Sequence, residues 1–530
     1  MTLEEVEALP VEDELLVVKG RVIKTTKSLC PECVKILPAT IYEHDNKVWI
    51  TKKCPDHGEV TELYWGDYEM YKKAREAEYE GKGILNPTTQ ITKGCPFDCG
   101  LCKIHKSHTA LANIVLTNRC DLSCWYCFFY AKKGDRIYEP SIDQIRTMLR
   151  TLRSQQPVAP NCIQLTGGEP ALRDDIFEIV RLVRKEGFDH VQFNTNGIRL
   201  AIEPDFARKL REAGVNVIYL SFDGVTPESN PKNHWEIPKI IDNCRNGGSA
   251  IVLVPTMIKG KNDHELGDII RFGFDNVDQV RSVNIQPVSL VGRMPRRERK
   301  RYRITIPEVI KRIEEQTNGQ IGREAFFAIP SVTGVSHLVE AITGHPTYEL
   351  SNHFACGAAT YIFKEGDQMI PITDFLDVAG FLEFCERTAT KYDGRKVNRW
   401  GKLKLLWNLR KFIDKKRQPK ALNIRNLLWQ IFQKGDYSGL RAFHHSSLFI
   451  GIMHFMDLYN YDIERVKQCN IHYAMPDGTI VPFCAFNVIP AHYRDKIQEE
   501  YSIPPEQWER EHNKKLKDDK YQRKISSLAP

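Results

Sequence analysis

The chain has 530 residues, 42% hydrophobic and 27% charged, which is too long for one ordinary core and too apolar for a disordered protein; two to four domains are expected. No run of eighteen apolar residues occurs, and the Met1 end lacks the basic-then-apolar pattern of a signal peptide, so a cytoplasmic protein is expected. The net charge of +7 makes no case for a nucleic-acid partner, and the fifteen cysteines fall in tight triplets and pairs that favour metal ligation over disulfides.

Residues 1–112 read as a cysteine-rich metal-binding module. Cys30-Pro31-Glu32-Cys33 and Cys54-Pro55-Asp56-His57-Gly58 bracket the strand-like Lys47–Ile50, the layout of two metal knuckles on a β-hairpin as in rubredoxin-type iron sites and zinc ribbons. Cys30, Cys33 and Cys54 are three expected ligands to mononuclear iron or zinc, and the fourth is either His57 or a cysteine from the next group. That group, Cys95, Cys99 and Cys102 in C-x3-C-x2-C spacing, suits an auxiliary iron–sulfur centre; a zinc knuckle completed by His105 or His108 is the alternative.

From 113 to 295 short apolar runs alternate with amphipathic helical ones, the pattern of βα units around a parallel sheet. Strands are expected at Asn113–Thr117, Cys162–Thr166, His190–Thr195, Val215–Asp223, Ala250–Thr256 and Val283–Pro287, with helices over Ser141–Leu152 and Asp174–Glu186. Six such strands make an α/β fold, a partial (β/α)6 barrel, whose functional residues gather where strands end and loops begin. On that rim Cys120, Cys124 and Cys127 repeat the C-x3-C-x2-C spacing, with Tyr126 just before the last cysteine, and Gly167-Gly168-Glu169-Pro170 follows the next strand. Three compact thiols leave one iron of a 4Fe-4S cluster open to a ligand. Cys162 and Cys244 lie in apolar contexts and are expected to be buried fillers.

Residues 296–530 read as a C-terminal domain. Arg293–Arg303 carries seven basic residues in eleven, by default a solvated charge run, though one able to face phosphate. Over Trp400–Lys434, apolar residues including Trp407 and Trp429 alternate with Lys411, Lys415 and Lys416, which fits either helices lying at a membrane interface or core-packing helices with a wet face. Cys356, Cys385, Cys469 and Cys484 could ligate a further auxiliary 4Fe-4S cluster or be buried free thiols, and Asp477-Gly478 signals a hairpin that puts Cys484 at a strand end.

The cysteine spacing, the aromatic before the last cysteine and the Gly-Gly-Glu-Pro turn resemble the radical S-adenosylmethionine (radical SAM) superfamily. That resemblance implies that the open iron chelates SAM and that SAM is cleaved to a 5′-deoxyadenosyl radical. It also implies SAM contacts from Tyr126, Gly167, Gly168, Glu169, Pro170, Asn194, Asn196, Ser221 and Asp223, with Glu169 accepting from the SAM ammonium. Ordinary strand-end capping is the competing role for Asn196 and Ser221. Across most of its length, in C-P-E-C, C-P-D-H-G, C-P-F-D-C-G-L-C, T-N-R-C-D-L-S-C and D-G-T-I-V-P-F-C, the chain resembles the archaeal tetraether lipid synthases, whose relatives are also described as pterin-methylating enzymes. The residues Trp125-Tyr126-Cys127-Phe128-Phe129-Tyr130-Ala131 depart from that family's usual Pro-Ile-Cys-Phe-Ala-Asn-Ala. The resemblance implies hydrogen abstraction from an unactivated carbon, first of all to couple isoprenoid lipid chain ends, with C-methylation of a pterin-like small molecule as the alternative. It further implies a lipid or small-molecule substrate, one or two auxiliary clusters and a low-potential ferredoxin- or flavodoxin-like donor, while the Trp400–Lys434 stretch is the ground for expecting peripheral contact with the inner membrane face.

Overall fold

A computed structural model describes residues 16–129, 136–344, 346–392, 397, 399–420, 422 and 447–523. At the N-terminus, β1 (Arg21–Leu29), β2 (Ile36–His44), β3 (Lys47–Cys54) and β4 (Gly58–Trp65) form an antiparallel sheet in chain order. Its central hairpin pairs His44 with Lys47 and turns on Asp45 and Asn46, both left-handed at φ 52° and 54°, the geometry of a two-residue type I′ turn. The outer connections, Leu29 to Ile36 and Cys54 to Gly58, therefore lie together at the opposite end, and each carries one cysteine knuckle.

The barrel strands are β5 (Leu111–Thr117), β6 (Cys162–Gly167), β7 (His190–Thr195), β8 (Val217–Ser221), β9 (Ala250–Val254) and β10 (Val280–Pro287), parallel and adjacent in chain order. All but the first residue of β5 are buried, as expected for a parallel strand covered on both faces. The helix Ile142–Arg153 starts at a capping box between Ser141 and Gln144, and its spacing turns Ile145, Met148, Leu149 and Leu152 into the core. Ile176–Lys185 does the same with Ile176, Ile179, Val180 and Val183. Each strand therefore ends at one rim, where the following loop is free to carry chemistry.

The expected six strands are present, and the C-terminal segment extends the sheet at both edges. After the antiparallel outer strand β11 (Gly357–Glu365), β12 (Ser447–Met453) runs parallel beside β10 and β13 (Ile471–Ala474) parallel beside β5, so the parallel run is six strands plus two. The hairpin at Asp477-Gly478 forms, with Gly478 at φ 84°, between β13 and β14 (Ile480–Pro482). Cys484 sits in the short helix Phe483–Val488 that follows at once. We retain 1–112, 113–295 and 296–530 as the proposed domain division, with β12 and β13 tying the third domain to the second.

In the helix Arg399–Leu409, Leu405 and Leu409 are buried while Trp400 and Trp407 are 81% and 63% exposed. Lys411, Lys415 and Lys416 beyond it are exposed. The second expected basic helix lies outside the described residues, except that Leu422 is buried with Phe363 and Phe375. Among the described residues no helix is long and apolar enough to cross a membrane.

Candidate functional site

The loop after β5 carries Cys120, exposed, and Cys124 and Cys127, both partly covered. It is anchored by Arg119, which donates to Glu139 at 2.8 Å, Asp519 at 2.7 Å and the Leu172 carbonyl at 2.9 Å, with its guanidinium 4.1 Å from the Trp508 ring centre. Burial raises all three thiols, while Lys232 favours the thiolates of Cys124 and Cys127, and Arg293 and Arg494 that of Cys127. Cys127 is in turn an electrostatic neighbour of both other thiols. Three soft donors on one loop beside fixed cations suit an iron–sulfur cluster with an open position.

The glycines of the Gly-Gly-Glu-Pro turn serve packing of the protein on itself. Gly167 has φ 146° and a Cβ there would stand 2.3 Å from the Thr117 carbonyl oxygen; one on Gly168 would stand 2.1 Å from that of Arg119. Gly168 N–H donates to Thr117 O at 2.8 Å and Glu169 N–H to Arg119 O at 2.8 Å. Absent side chains thus let the turn lie flat against the cluster loop. Pro170 opens the buried turn Pro170–Leu172.

Glu169 is buried and its carboxylate is already held: Oε1 accepts from Ala171 N at 3.0 Å and Thr195 Oγ1 at 2.8 Å, and Oε2 from Asn196 N at 2.7 Å. Burial, then the nearby Asp121 charge, push its carboxyl up to about 8 against those hydrogen bonds. Asn196 donates from Nδ2 to Asp121 at 2.6 Å and accepts from Ile198 N at 2.9 Å, so the capping role is present along with the rim position. Asn194 donates to Thr166 Oγ1 at 3.4 Å, and its buried Oδ1 has no partner. Ser221 ends β8, its carbonyl accepting from Asn233 at 2.8 Å. Asp223 is buried, accepting from Thr256 N at 2.8 Å, from Lys232 Nζ at 2.5 Å and from the Tyr126 hydroxyl. Lys232 thus pins Asp223, which pins the aromatic of the cluster loop. No motif marked Lys232 or Asn233 in the sequence.

Between this rim and the C-terminal segment lies a pocket lined by Tyr126, Phe128, Gln286, Phe455, Phe483 and Asn487, among others, with no charged side chain in its wall. Asn487 is 4% exposed and its Oδ1 is without a hydrogen-bond partner, while its Nδ2 is spent on Phe483 O at 3.0 Å. Asn487 sits in the short helix after β14 and only the tertiary fold brings it here.

At the ribbon end, the ligand atoms of Cys30, Cys33, Cys54 and His57 all lie within 4.8 Å of one another. His57 Nδ1 is 3.4 Å from Cys54 Sγ and 3.6 Å from Cys30 Sγ, and Cys33 and Cys54 sulfurs are 3.8 Å apart. His57 therefore fills the fourth place that the sequence left open, and three thiols with one imidazole fit a tetrahedral metal. Cys95, Cys99 and Cys102 line one small cavity with His105, whose Nε2 is 2.7 Å from Cys469 O. His108 is turned away, accepting from Glu349 N at 2.9 Å. Cys356, Cys469 and Cys484 are electrostatic neighbours, with Arg465 3.6 Å from Cys356 Sγ. Cys385 parts from them. It is packed with Leu338, Ala341, Ile342 and Leu405, and burial pushes its thiol up to about 12, the setting of an inert filler in place of the expected ligand. Cys244 is buried in a helix and Cys162 half-buried at the start of β6.

A family model of the radical SAM superfamily matches residues 114–273, and one of the HMPTM N-terminal zinc ribbon domain matches residues 22–66. The chain is 45% identical over 507 residues to the 7,8-dihydro-6-hydroxymethylpterin dimethyltransferase of Methanocaldococcus jannaschii, covering 94% of this chain and 99% of that protein. It is 31% identical over 188 residues to the GTP 3′,8-cyclase of Limosilactobacillus fermentum, covering 33% of this chain and 54% of the cyclase. Among solved structures, methylornithine synthase aligns over 34% of this chain and 53% of its own at 16% identity, with a TM-score of 0.27, a likeness too slight to argue from.

Proposed function

Because the chain belongs to the radical SAM superfamily, in the family of the Methanocaldococcus jannaschii pterin dimethyltransferase, we propose that it is a radical SAM C-methyltransferase acting on a pterin-like heterocycle. The relative of 45% identity across nearly the whole chain favours this reading over coupling of isoprenoid chain ends. The observation that carries it is that relative; in the structure the reading draws on an uncharged, aromatic-walled pocket beside the cluster loop, with Asn487 among its lining residues. A flat heterocycle would stack on that aromatic wall once the wall parts, since the cavity of about 30 Å³ holds little more than a water as it stands.

Family membership brings a 4Fe-4S cluster and SAM as cofactors, and the ribbon adds a mononuclear metal site. We assign the cluster to Cys120, Cys124 and Cys127, which would hold it by three irons; bound there it would supply the electron for reductive cleavage of SAM to methionine and a 5′-deoxyadenosyl radical. Glu169 would receive the SAM ammonium on the one lone-pair site its three donors leave, and Asn194 would offer its unpartnered Oδ1 to the same ligand. Tyr126, fixed by Asp223 and Lys232, lines the pocket on the side of the cluster loop and would border the bound cofactor there. Phe128, Phe455 and Phe483 keep water from the reacting carbon, which protects a radical from wasteful hydrogen transfer. Cys95, Cys99 and Cys102, and Cys356, Cys469 and Cys484, are proposed ligands of auxiliary clusters.

Anaerobic incubation of the reconstituted protein with SAM, reductant and 6-hydroxymethyl-7,8-dihydropterin tests the reading by mass spectrometry. One-carbon mass gains coupled to 5′-deoxyadenosine are expected, and Asn487→Leu should raise the pterin KM about tenfold, the loss of one buried hydrogen bond. An unchanged pterin together with hydrogen loss from the terminus of an isoprenoid ether lipid would overturn it.

A further inference from the structure

Beyond Arg293, which faces Cys127, the basic run Arg293–Arg303 takes no part in the site described above, yet it is packed directly on the cluster loop. Arg293 N–H donates to the Cys127 carbonyl at 3.1 Å. Gly292, at φ 61°, permits that approach, since a Cβ there would stand 2.3 Å from the same oxygen. Met294 and Tyr302 are buried in a small core with Ile258, Val288, Leu290 and Tyr459, which pins both ends of the run. Two of its cations turn inward, Arg299 to Glu62 at 3.1 Å and Arg303 to Glu62 and Asp457, both at 3.0 Å. The side chains of Arg293, Arg296, Arg297, Lys300 and Arg301 are exposed. Arg297 and Lys300 have no ion-pair partner among the described residues, and Arg301 has Glu298 at 3.7 Å, a surface pair of little strength. Beside them Trp125 is 41% exposed, its ring 5.7 Å from that of Tyr302, with Lys261 Nζ 6.0 Å from the Trp125 ring centre. An exposed aromatic, one residue from Tyr126 and two from Cys127, thus lies between Lys261 and the Tyr302 end of the run.

Resting on the assignment of the cluster to the Cys120–Cys127 loop, we propose that this face docks an acidic, low-potential one-electron donor protein of the flavodoxin class. Charge complementarity selects that partner. The substrate pocket has no charged side chain in its wall, so these cations are not reading a small anionic substrate. Membrane docking needs several apolar side chains to insert; among the described residues of the run no large hydrophobic is exposed, and Trp125 beside it is a single aromatic. Exposed cations beside an aromatic anchor steer an acidic partner and seat it. The docked protein is then one hydrogen bond from the Cys127 backbone. The reduced donor loses one electron. That electron breaks the C5′–S bond of the SAM sulfonium, methionine leaves with its sulfur neutral, and the 5′-deoxyadenosyl radical remains; no proton moves.

The test is the binding of purified, oxidised, acidic flavodoxin to the full-length reconstituted protein, read by fluorescence anisotropy at low and high salt. Wild type should bind, more weakly as salt rises, and R297E/K300E/R301E should weaken binding about tenfold or more. The neutral R297Q/K300Q variant should give a smaller loss of the same sign. Flavodoxin-driven 5′-deoxyadenosine formation should fall in step, while dithionite-driven formation stays at the wild-type level and reports an intact fold. Equal flavodoxin binding by wild type and the triple variant would overturn the proposal. So would a triple variant that loses phosphatidylglycerol-vesicle binding and keeps flavodoxin binding. Because binding is read without turnover, absence of dithionite-driven cleavage in wild type would tell against the cluster-loop assignment and is not confused with failed docking.

Discussion

Two cysteine sites on this chain differ in how complete they are. In the ribbon, two knuckles at one end of an antiparallel sheet bring four ligand atoms within 4.8 Å of one another, and the site is closed. On the barrel rim, three thiols sit on a single loop held from outside, by Arg119 and by the flat Gly167-Gly168 turn. A closed site holds a metal for structure, and an open one holds it for a ligand. The sheet hydrogen bonds build the first, whereas the second depends on distant parts of the chain, down to Asp519.

The largest effect that sharpens this contrast is all-or-none. Changing Cys120, Cys124 and Cys127 together to Ala should reduce 5′-deoxyadenosine to background while metal analysis still finds the ribbon metal. The reciprocal change, Cys54→Ala, should empty the ribbon and leave dithionite-driven SAM cleavage measurable. If either variant loses both metals, the two sites are one folding unit and the contrast fails.

A smaller effect probes the outside support. In Gly168→Ala the new Cβ meets a backbone oxygen 2.1 Å away, which neither partner can yield cheaply. We expect about 1–3 kcal/mol of destabilisation by denaturant unfolding, together with weaker SAM binding. Ala at Gly58, where the same addition meets nothing within 4 Å but φ is 76°, should cost only the backbone strain. Equal losses at the two positions would break the contrast between them.

The smallest effect is a pH slope. Burial holds the Glu169 carboxyl near 8, above the ordinary 4.5, so the folded protein keeps a proton that the unfolded chain has released. Apo stability should then fall as pH rises from about 4.5 through 8, because folding takes up a proton over that window. Glu169→Gln should flatten the slope in thermal melts, and saturating SAM, whose ammonium favours the carboxylate, should reduce it. A rising slope would mean that the three hydrogen-bond donors outweigh burial.

The sequence made some of this legible for local reasons. The ribbon, the six barrel strands and the cysteine loop follow from spacing and periodicity, which act over a few residues. Ser141 capped its helix as expected and Asp477-Gly478 made its hairpin. What the sequence could not give is placement. Ser447–Met453 and Ile471–Ala474 read as ordinary strands, and nothing local says that they flank β10 and β5. Lys232 and Asn487 belong to no motif and reach the site through tertiary packing alone. Cys385 was grouped with Cys356, Cys469 and Cys484 by residue type, and its helix carried it into a separate core. Lipid coupling and pterin methylation both follow from family resemblance, and the relative of 45% identity favours the second.

The central claim, that the loop of Cys120, Cys124 and Cys127 holds an open cluster that takes SAM while the ribbon metal does not, is tested most directly by electron paramagnetic resonance of the anaerobically reduced protein with and without SAM. The account predicts that SAM alters the cluster signal of wild type and of Cys54→Ala, and leaves no SAM-dependent change in the Cys120/Cys124/Cys127 triple Ala variant. A SAM-dependent change that survives in the triple variant would contradict it.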